Sequence, residues 1–271
     1  MNPGVTTVPI QRLRSDSPAE LTTDRVAVEE PLEIRIHNEP LVTLMRTPGD
    51  DRELVTGFLF TEGLIAKRED ILEIAPCPHL PTGRRGTILN VTPAPHLNLN
   101  LTEIRRLFIA SSSCGLCSKA SLASERPPEP IVQSFGCVSP ETLHSLPARL
   151  HTAQKTFAQT GGLHASAWFD LLGNLLLLRE DVGRHNALDK IIGERLLRNA
   201  NDSEGILLVS GRVAYEIVQK ALAAHFPIIA AISAPTGLAV EYAEENNQTL
   251  IGFLRDGRMN IYTHPQRVRG E

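Results

Sequence analysis

The last third of the chain alternates short apolar runs with helical stretches, a pattern that admits few folds. Residues 206–209 read Ile-Leu-Leu-Val and end at Ser210, Gly211 and Arg212. A helix is expected over 214–226, a second apolar run over 228–232 ends at Ser-Ala-Pro-Thr (233–236), and a helix over 238–245 leads to a strand over 249–254. Short apolar runs bounded by turn residues read as buried strands, and apolar recurrence at the 3.6 period marks helices. Strand, helix, strand, helix, strand implies βαβ units with parallel strands. Upstream, Ala187, Leu188, Ile191, Ile192, Leu196 and Leu197 mark one face of another helix, and 164–178 reads as a hairpin turning through Asp170 and Gly173-Asn174. A helical stretch from Ser139 is expected to break near Pro147.

The first part of the chain reads differently. Residues 1–24 are polar and are expected to form a flexible tail. Strands are expected at 32–36 and 41–45, and Thr47-Pro48-Gly49-Asp50 resembles a capped helix start with proline at the first helical position. That helix should run through Phe60 and end at Gly63, with alternation at 87–91 and 97–101 marking two more strands. The expected organisation is a tail over 1–24, a small N-terminal α+β module over 25–108, a mobile loop over 109–130 and an α/β core over 131–271.

The loop carries Ser-Ser-Ser-Cys-Gly-Leu-Cys-Ser-Lys at 111–119, so Cys114 and Cys117 lie one short turn apart. Two thiols at that spacing point to sulfur chemistry or metal ligation, and both use the thiolate. An unperturbed cysteine ionises near ~8.5, and a Cys-x-x-Cys setting or a nearby cation lowers that value. Lys119 and the Arg105-Arg106 pair supply cations close in sequence. Cys77 and Cys137 stand alone among apolar and proline residues and read as buried structural thiols.

Composition narrows the function classes. With 271 residues and 42% hydrophobic content the chain can bury a core, and its formal charge of -4 argues against a generic electrostatic grip on nucleic acid. The N-terminus lacks an apolar signal region, and no stretch approaches the ~20 apolar residues that span a bilayer, so a cytoplasmic location without membrane contact is expected. In that compartment thiols stay reduced, and four cysteines do not read as a disulfide framework.

Ligands of open α/β sheets sit beyond the carboxyl ends of the strands. Three segments fall there: 179–185, with Gly183, Arg184 and His185; 210–212, with Ser210, Gly211 and Arg212; and 233–237, with Thr236. Each precedes a helix, whose N–H groups and positive dipole end favour an anion. Glycine–arginine pairs also cap ordinary surface helices, and none of these segments matches the usual nucleotide fingerprints. Phe253, Leu254, Arg255, Asp256, Gly257 and Arg258 join an aromatic ring, two guanidiniums and a tight turn, which suits a purine beside a phosphate or an ordinary solvated hairpin tip. His164 enters a strand after a glycine turn, and a single histidine is more often structural than a base or ligand.

Taken together, Ser-Cys-Gly-Leu-Cys at 113–117, Thr-Gly-Gly-Leu-His at 160–164, Glu-Asp-Val-Gly-Arg-His-Asn-Ala-Leu-Asp-Lys at 180–190, Ser-Gly-Arg at 210–212, Ser-Ala-Pro-Thr at 233–236 and Gly-Phe-Leu-Arg-Asp-Gly-Arg at 252–258 resemble the formate dehydrogenase accessory sulfurtransferases, the FdhD/NarQ family. The resemblance implies a cytidine-deaminase-like three-layer α/β/α core. It also implies a sulfur relay in which a cysteine desulfurase loads a persulfide that passes to a molybdenum bis-molybdopterin guanine dinucleotide, the cofactor of formate dehydrogenase. By the same resemblance Cys114 carries the persulfide, residues 253–258 match the cofactor-binding segment, and the chain is a homodimer. Cys117 is expected to assist or to resolve mixed species. Two departures from the family pattern, Ala214 in place of serine and His37-Asn38-Glu39 in place of an Asn-Gly turn, leave the thiols untouched.

Other classes compete with this one. A zinc deaminase needs His-x-Glu followed by Pro-Cys-x-x-Cys; here Ser166 holds the glutamate's place and the thiols precede His164, so no metal site is expected. A non-enzymatic cofactor chaperone, with the thiols incidental, differs from a sulfur carrier in gaining no sulfur on Cys114.

Overall fold

A computed structural model describes residues 2–77, 87–97, 99–101, 104, 131–133, 136–200 and 204–270. Strands are β1 (Val5–Arg14), β2 (Ser17–Ala27), β3 (Glu30–Ile36), β4 (Glu39–Arg46), β5 (Ile71–Pro76), β6 (Thr87–Pro93), β7 (His164–Phe169), β8 (Leu175–Asp181), β9 (Ile206–Val209), β10 (Ile228–Ala231), β11 (Thr249–Arg255) and β12 (Arg258–Thr263). Helices are α1 (Asp51–Thr61), α2 (Pro140–Ala153), the single turn α3 (Phe157–Thr160), α4 (Arg184–Leu197), α5 (Tyr215–Ala223) and α6 (Gly237–Glu245).

The main sheet has the order β12-β11-β10-β9-β7-β8. Strands β9, β10 and β11 are parallel, as their uninterrupted apolar runs require of strands covered on both faces. Because β7 is antiparallel to β9 and β8 antiparallel to β7, the carboxyl ends of β8, β9, β10 and β11 share one edge with the start of β7. Leu143, Leu146 and Leu150 of α2 pack with Ala167, Leu208 and Ala230 on one face. Ile191 of α4, Val218 of α5 and Ala239 of α6 pack with Leu207 and Ile229 on the other. The result is the three-layer α/β/α arrangement that the resemblance implied.

A second sheet, ordered β4-β3-β6-β5, has its own apolar core with α1. This unit joins the main sheet through α1 and α4, which cross at Gly57 and Gly193. A Cβ on Gly193 would lie 2.7 Å from the Gly57 nitrogen, and one on Gly57 would lie 2.9 Å from the Gly193 nitrogen. Only hydrogen fits between the two backbones there.

Four local expectations are corrected. Residues 5–27, read largely as a polar tail, form the β1–β2 hairpin in a register from Val5 with Ala27 to Arg14 with Ser17. Thr6, Thr7, Val8 and Ile10 are β-branched, and that backbone preference outweighs the polarity which suggested disorder. Among the described residues of 97–101 none lies in a strand. The Leu97 and Leu101 amides donate to the nearby carbonyls of Ala94 and Leu99, while the leucines pack on the second core.

Pro147 lies inside α2 without breaking it. A mid-helix proline costs about 3 kcal/mol, whereas each of three fully buried leucines contributes roughly 1.5–3 kcal/mol. The capping signal at 47–50 is also displaced: α1 begins at Asp51, Asp50 caps it with φ 55° and no side-chain bond, and Pro48 lies outside the helix. Among the described residues no helix is long and apolar enough to cross a membrane.

Candidate functional site at the sheet edge

At the end of β8 the fully buried Asp181 accepts the Gly183 amide and the Asn186 side-chain amide on one oxygen, each at 2.9 Å. This shapes the turn that starts α4 with Gly183 at its N-cap. At the end of β9, Ser210 is bonded to the first residues of β7: its amide donates to the Ala165 carbonyl, and its Oγ accepts the Ala165 amide, both at 2.9 Å. Gly211 follows, and a Cβ there would lie 3.2 Å from His164 Nδ1 and 3.5 Å from Arg184 Cδ. Gly183, Arg184, Ser210, Gly211 and His164 therefore come from three strand ends into one place.

The next two strand ends extend the edge. Val213 pairs with Pro235 beyond the sheet, and the Thr236 amide donates to the Val213 carbonyl at 2.9 Å, so Thr236 sits at the N-cap of α6. The Phe253 amide donates to the Ser233 carbonyl at 3.0 Å, with Phe253 held at φ 53°. Past it, Asp256 and Gly257, both at positive φ, turn the chain tightly from β11 into β12. Arg255, Asp256, Gly257 and Arg258 are exposed at this tip, and the Arg255 guanidinium lies 5.6 Å from the Phe253 ring centre. Leu254 is fully buried and packs in the apolar core on the α2 face.

The arrangement of this edge is suited to an anion. Helices α4, α5 and α6 all begin here, and none has a side-chain hydrogen bond at its N-cap. Their first amides and dipole ends therefore face the edge with no N-cap side chain accepting from them, although in α5 the Ile217 amide turns back to the Ala214 carbonyl. Arg184 is partly exposed, and Arg212, Arg255 and Arg258 are exposed. Guanidiniums beside uncapped helix starts suit a phosphate-rich ligand.

A cavity of about 610 Å³ opens beside these groups, lined by His151, Gln154, Phe157, Leu163, His164 and Ser210 among others. The sequence alone leaves the role of His164 open. Only its position after a glycine turn hinted at the edge, since contact with Gly211 and Arg184 depends on strand order.

A sequence profile of the FdhD/NarQ family matches residues 27–269. The chain belongs to the FdhD/NarQ family. A relative from Mycobacterium tuberculosis, named "Sulfur carrier protein FdhD", is 43% identical over 277 residues, covering 95% of this chain and 97% of the relative. One from Sulfolobus acidocaldarius with the same name is 45% identical over 246 residues, covering 90% and 91%. A crystal structure from Desulfotalea psychrophila, described as a candidate formate dehydrogenase accessory protein, superposes with a TM-score of 0.75 at 24% identity, covering 98% of this chain and all of that one. That likeness shows the fold.

In this FdhD/NarQ chain Cys114, Cys117 and the loop expected at 109–130 lie outside the described residues. Of the other two cysteines, Cys77 is half-buried and Cys137 exposed, which corrects the expectation that both are buried. Cys137 sits in the short segment before α2, where its sulfur lies 3.8 Å from the Gln266 carbonyl rather than in the core.

The edge also carries a titration. Burial, and then the Arg184 guanidinium, hold His164 below the ordinary histidine value, with Asp181 opposing them. A lowered folded value means that folding disfavours the proton. The stability tied to neutral His164 is complete above the ordinary histidine pKa of about 6.5 and is lost as pH falls through the folded value. Melting temperature measured from pH 8 down to 5 should therefore fall less in His164→Gln than in the wild type; parallel profiles would contradict this account.

Proposed function

We propose that this chain is a sulfur carrier of formate dehydrogenase maturation, with Cys114 as the carrying thiol and the sheet edge as the seat of the recipient cofactor. The Cys114 thiolate attacks the outer sulfur of a cysteine desulfurase persulfide. The donor's inner sulfur leaves as a thiolate, and a persulfide stands on Cys114 with no net oxidation. Cys117, three residues on, assists or resolves mixed species. The recipient, a molybdenum bis-molybdopterin guanine dinucleotide, is cargo. Its pyrophosphates match Arg184, Arg212, Arg255 and Arg258 and the open starts of α4, α5 and α6.

The observation that carries this reading is 43–45% identity, over nine-tenths or more of the chain, to relatives named sulfur carriers. The arginine-lined edge supports the cargo assignment independently. Location in the cytoplasm and pairing with a second copy belong to the same proposal.

The test is mass spectrometry after incubation with free cysteine and a cysteine desulfurase. One added sulfur atom is expected on Cys114, reversible by a thiol reductant, and none in Cys114→Ala. That variant is also expected to leave formate dehydrogenase inactive in cells. A wild-type protein that gains no sulfur, while still supporting the dehydrogenase, would replace the carrier by a cofactor chaperone.

A further inference from the structure

The turn that presents Gly183 and Arg184 is not held by its own sheet alone. Asp181 receives, on its second oxygen, the Thr47 amide at 3.1 Å and the Lys190 ammonium at 2.8 Å. Lys190 Nζ also donates to the Thr47 carbonyl at 2.9 Å, and Thr47 Oγ1 accepts the Val182 amide at 3.2 Å. Asn186 Nδ2 bridges Asp181 at 2.9 Å and the Met45 carbonyl at 2.8 Å. Met45 is the penultimate residue of β4, an edge strand of the second sheet, and Thr47 is the residue just past that strand. Asp181, Lys190 and Thr47 are all buried.

We propose that the N-terminal unit is a working part of the anion-binding edge, with Thr47 and Asn186 as positioning residues that set the Val182–Gly183–Arg184 turn. Three hydrogen bonds reach this turn or its flanks from residues 45–47, and the buried Asp181–Lys190 pair is the hub through which they act. The space around Gly183 shows how closely the parts fit: a Cβ there would come within 2.9 Å of Asn186 Nδ2. A turn held from both sheets presents its amides and the Arg184 guanidinium in one geometry, so ligand binding avoids the entropy of ordering them. The two units are then thermodynamically linked, since whatever shifts residues 45–47 changes affinity at the edge, and the ligand in turn steadies 45–47.

This inference rests on the reading of the edge as a pyrophosphate site, and guanosine diphosphate serves as the probe. Calorimetric titration of the full chain should show binding by the wild type. Thr47→Val, which removes the acceptor for the Val182 amide but keeps the shape, and Asn186→Ala should each weaken binding by roughly tenfold. Thr47→Ser, which keeps the hydroxyl and loses the methyl, should bind as the wild type does. That contrast separates positioning from packing. Equal affinity in the wild type, Thr47→Val and Asn186→Ala, or equal loss in Thr47→Ser and Thr47→Val, overturns the inference alone. Absence of binding by the wild type overturns the pyrophosphate reading and this inference with it.

Discussion

Exchanging Lys220 for methionine is expected to destabilise the protein by about 3–5 kcal/mol, because it strands a carboxylate in the interior. Lys220 Nζ lies 2.8 Å from both oxygens of Asp189, 2.6 Å from Thr61 Oγ1 and 3.5 Å from Glu62, tying α5 to α4 and α1. Both members of the central pair are almost completely buried. Burial opposes the ammonium's charge, but Asp189, reinforced by Glu62, outweighs it and raises the lysine above its ordinary value.

With a raised folded pKa, the contribution is complete below the ordinary lysine value of about 10.4 and fades only as pH rises through the higher folded one. Burial holds the Asp189 carboxyl above its ordinary value, and without Lys220 it rises further. Denaturant melts should therefore show the deficit largest at about pH 9 and shrinking toward about pH 6 as the stranded carboxylate takes up a proton. The double change Lys220→Met with Asp189→Leu should recover a substantial part of the loss, since an apolar pair fills the place of a buried ion pair at little cost. A single Lys220→Met variant that melts like the wild type would show that Asp189 finds water, and the interior described for α1, α4 and α5 would be wrong.

Gly193→Ala should be the second most damaging change, although helix propensity argues the other way. Alanine in mid-helix is favoured over glycine by about 1 kcal/mol. Against that, the new Cβ would sit 2.7 Å from the Gly57 nitrogen and overlap the Glu53 carbonyl, and both are backbone atoms of α1 with no rotamer to escape into. Overpacking of a tight core costs typically 1–3 kcal/mol and more where backbone must move, so a net loss of at least ~2 kcal/mol is expected. Gly57→Ala should behave alike. Gly237→Ala, whose Cβ would meet nothing within 4 Å at the exposed start of α6, should be neutral or slightly stabilising. Thermal melts of the three variants decide the matter. Equal midpoints for Gly193→Ala and Gly237→Ala would mean that α1 and α4 do not touch.

How much of this was legible before the structure depends on the range of the interaction that decides each feature. Strands β9, β10 and β11 and the helices between them stand where the apolar period placed them, because covering both faces of a strand forces a local pattern. The hairpin turn at Asp170 and Gly173 and the tight turn at Asp256 and Gly257 were equally local. Where two readings of one local pattern competed, neighbours decided. Alternation at 97–101 satisfied a core without a sheet, and Pro147 stayed helical because three leucines on its helix face the main sheet. The β1–β2 hairpin leaves little apolar signature in the sequence because cross-strand pairing, not burial, holds most of it.

From its residues alone the chain set the βαβ order, the arginines and glycines that follow each strand, and the Cys-x-x-Cys pair, since periodicity, turn chemistry and thiol spacing act over a few residues. Strand order was decided only by folding, and with it the meeting of His164, Gly211 and Arg184 and the bonding of Thr47 to Asp181 across 134 positions. Such contacts carry no local signature. They exist because an antiparallel β7 brings the start of one strand beside the ends of others, and because a buried carboxylate must gather every donor within reach, whichever part of the chain supplies it.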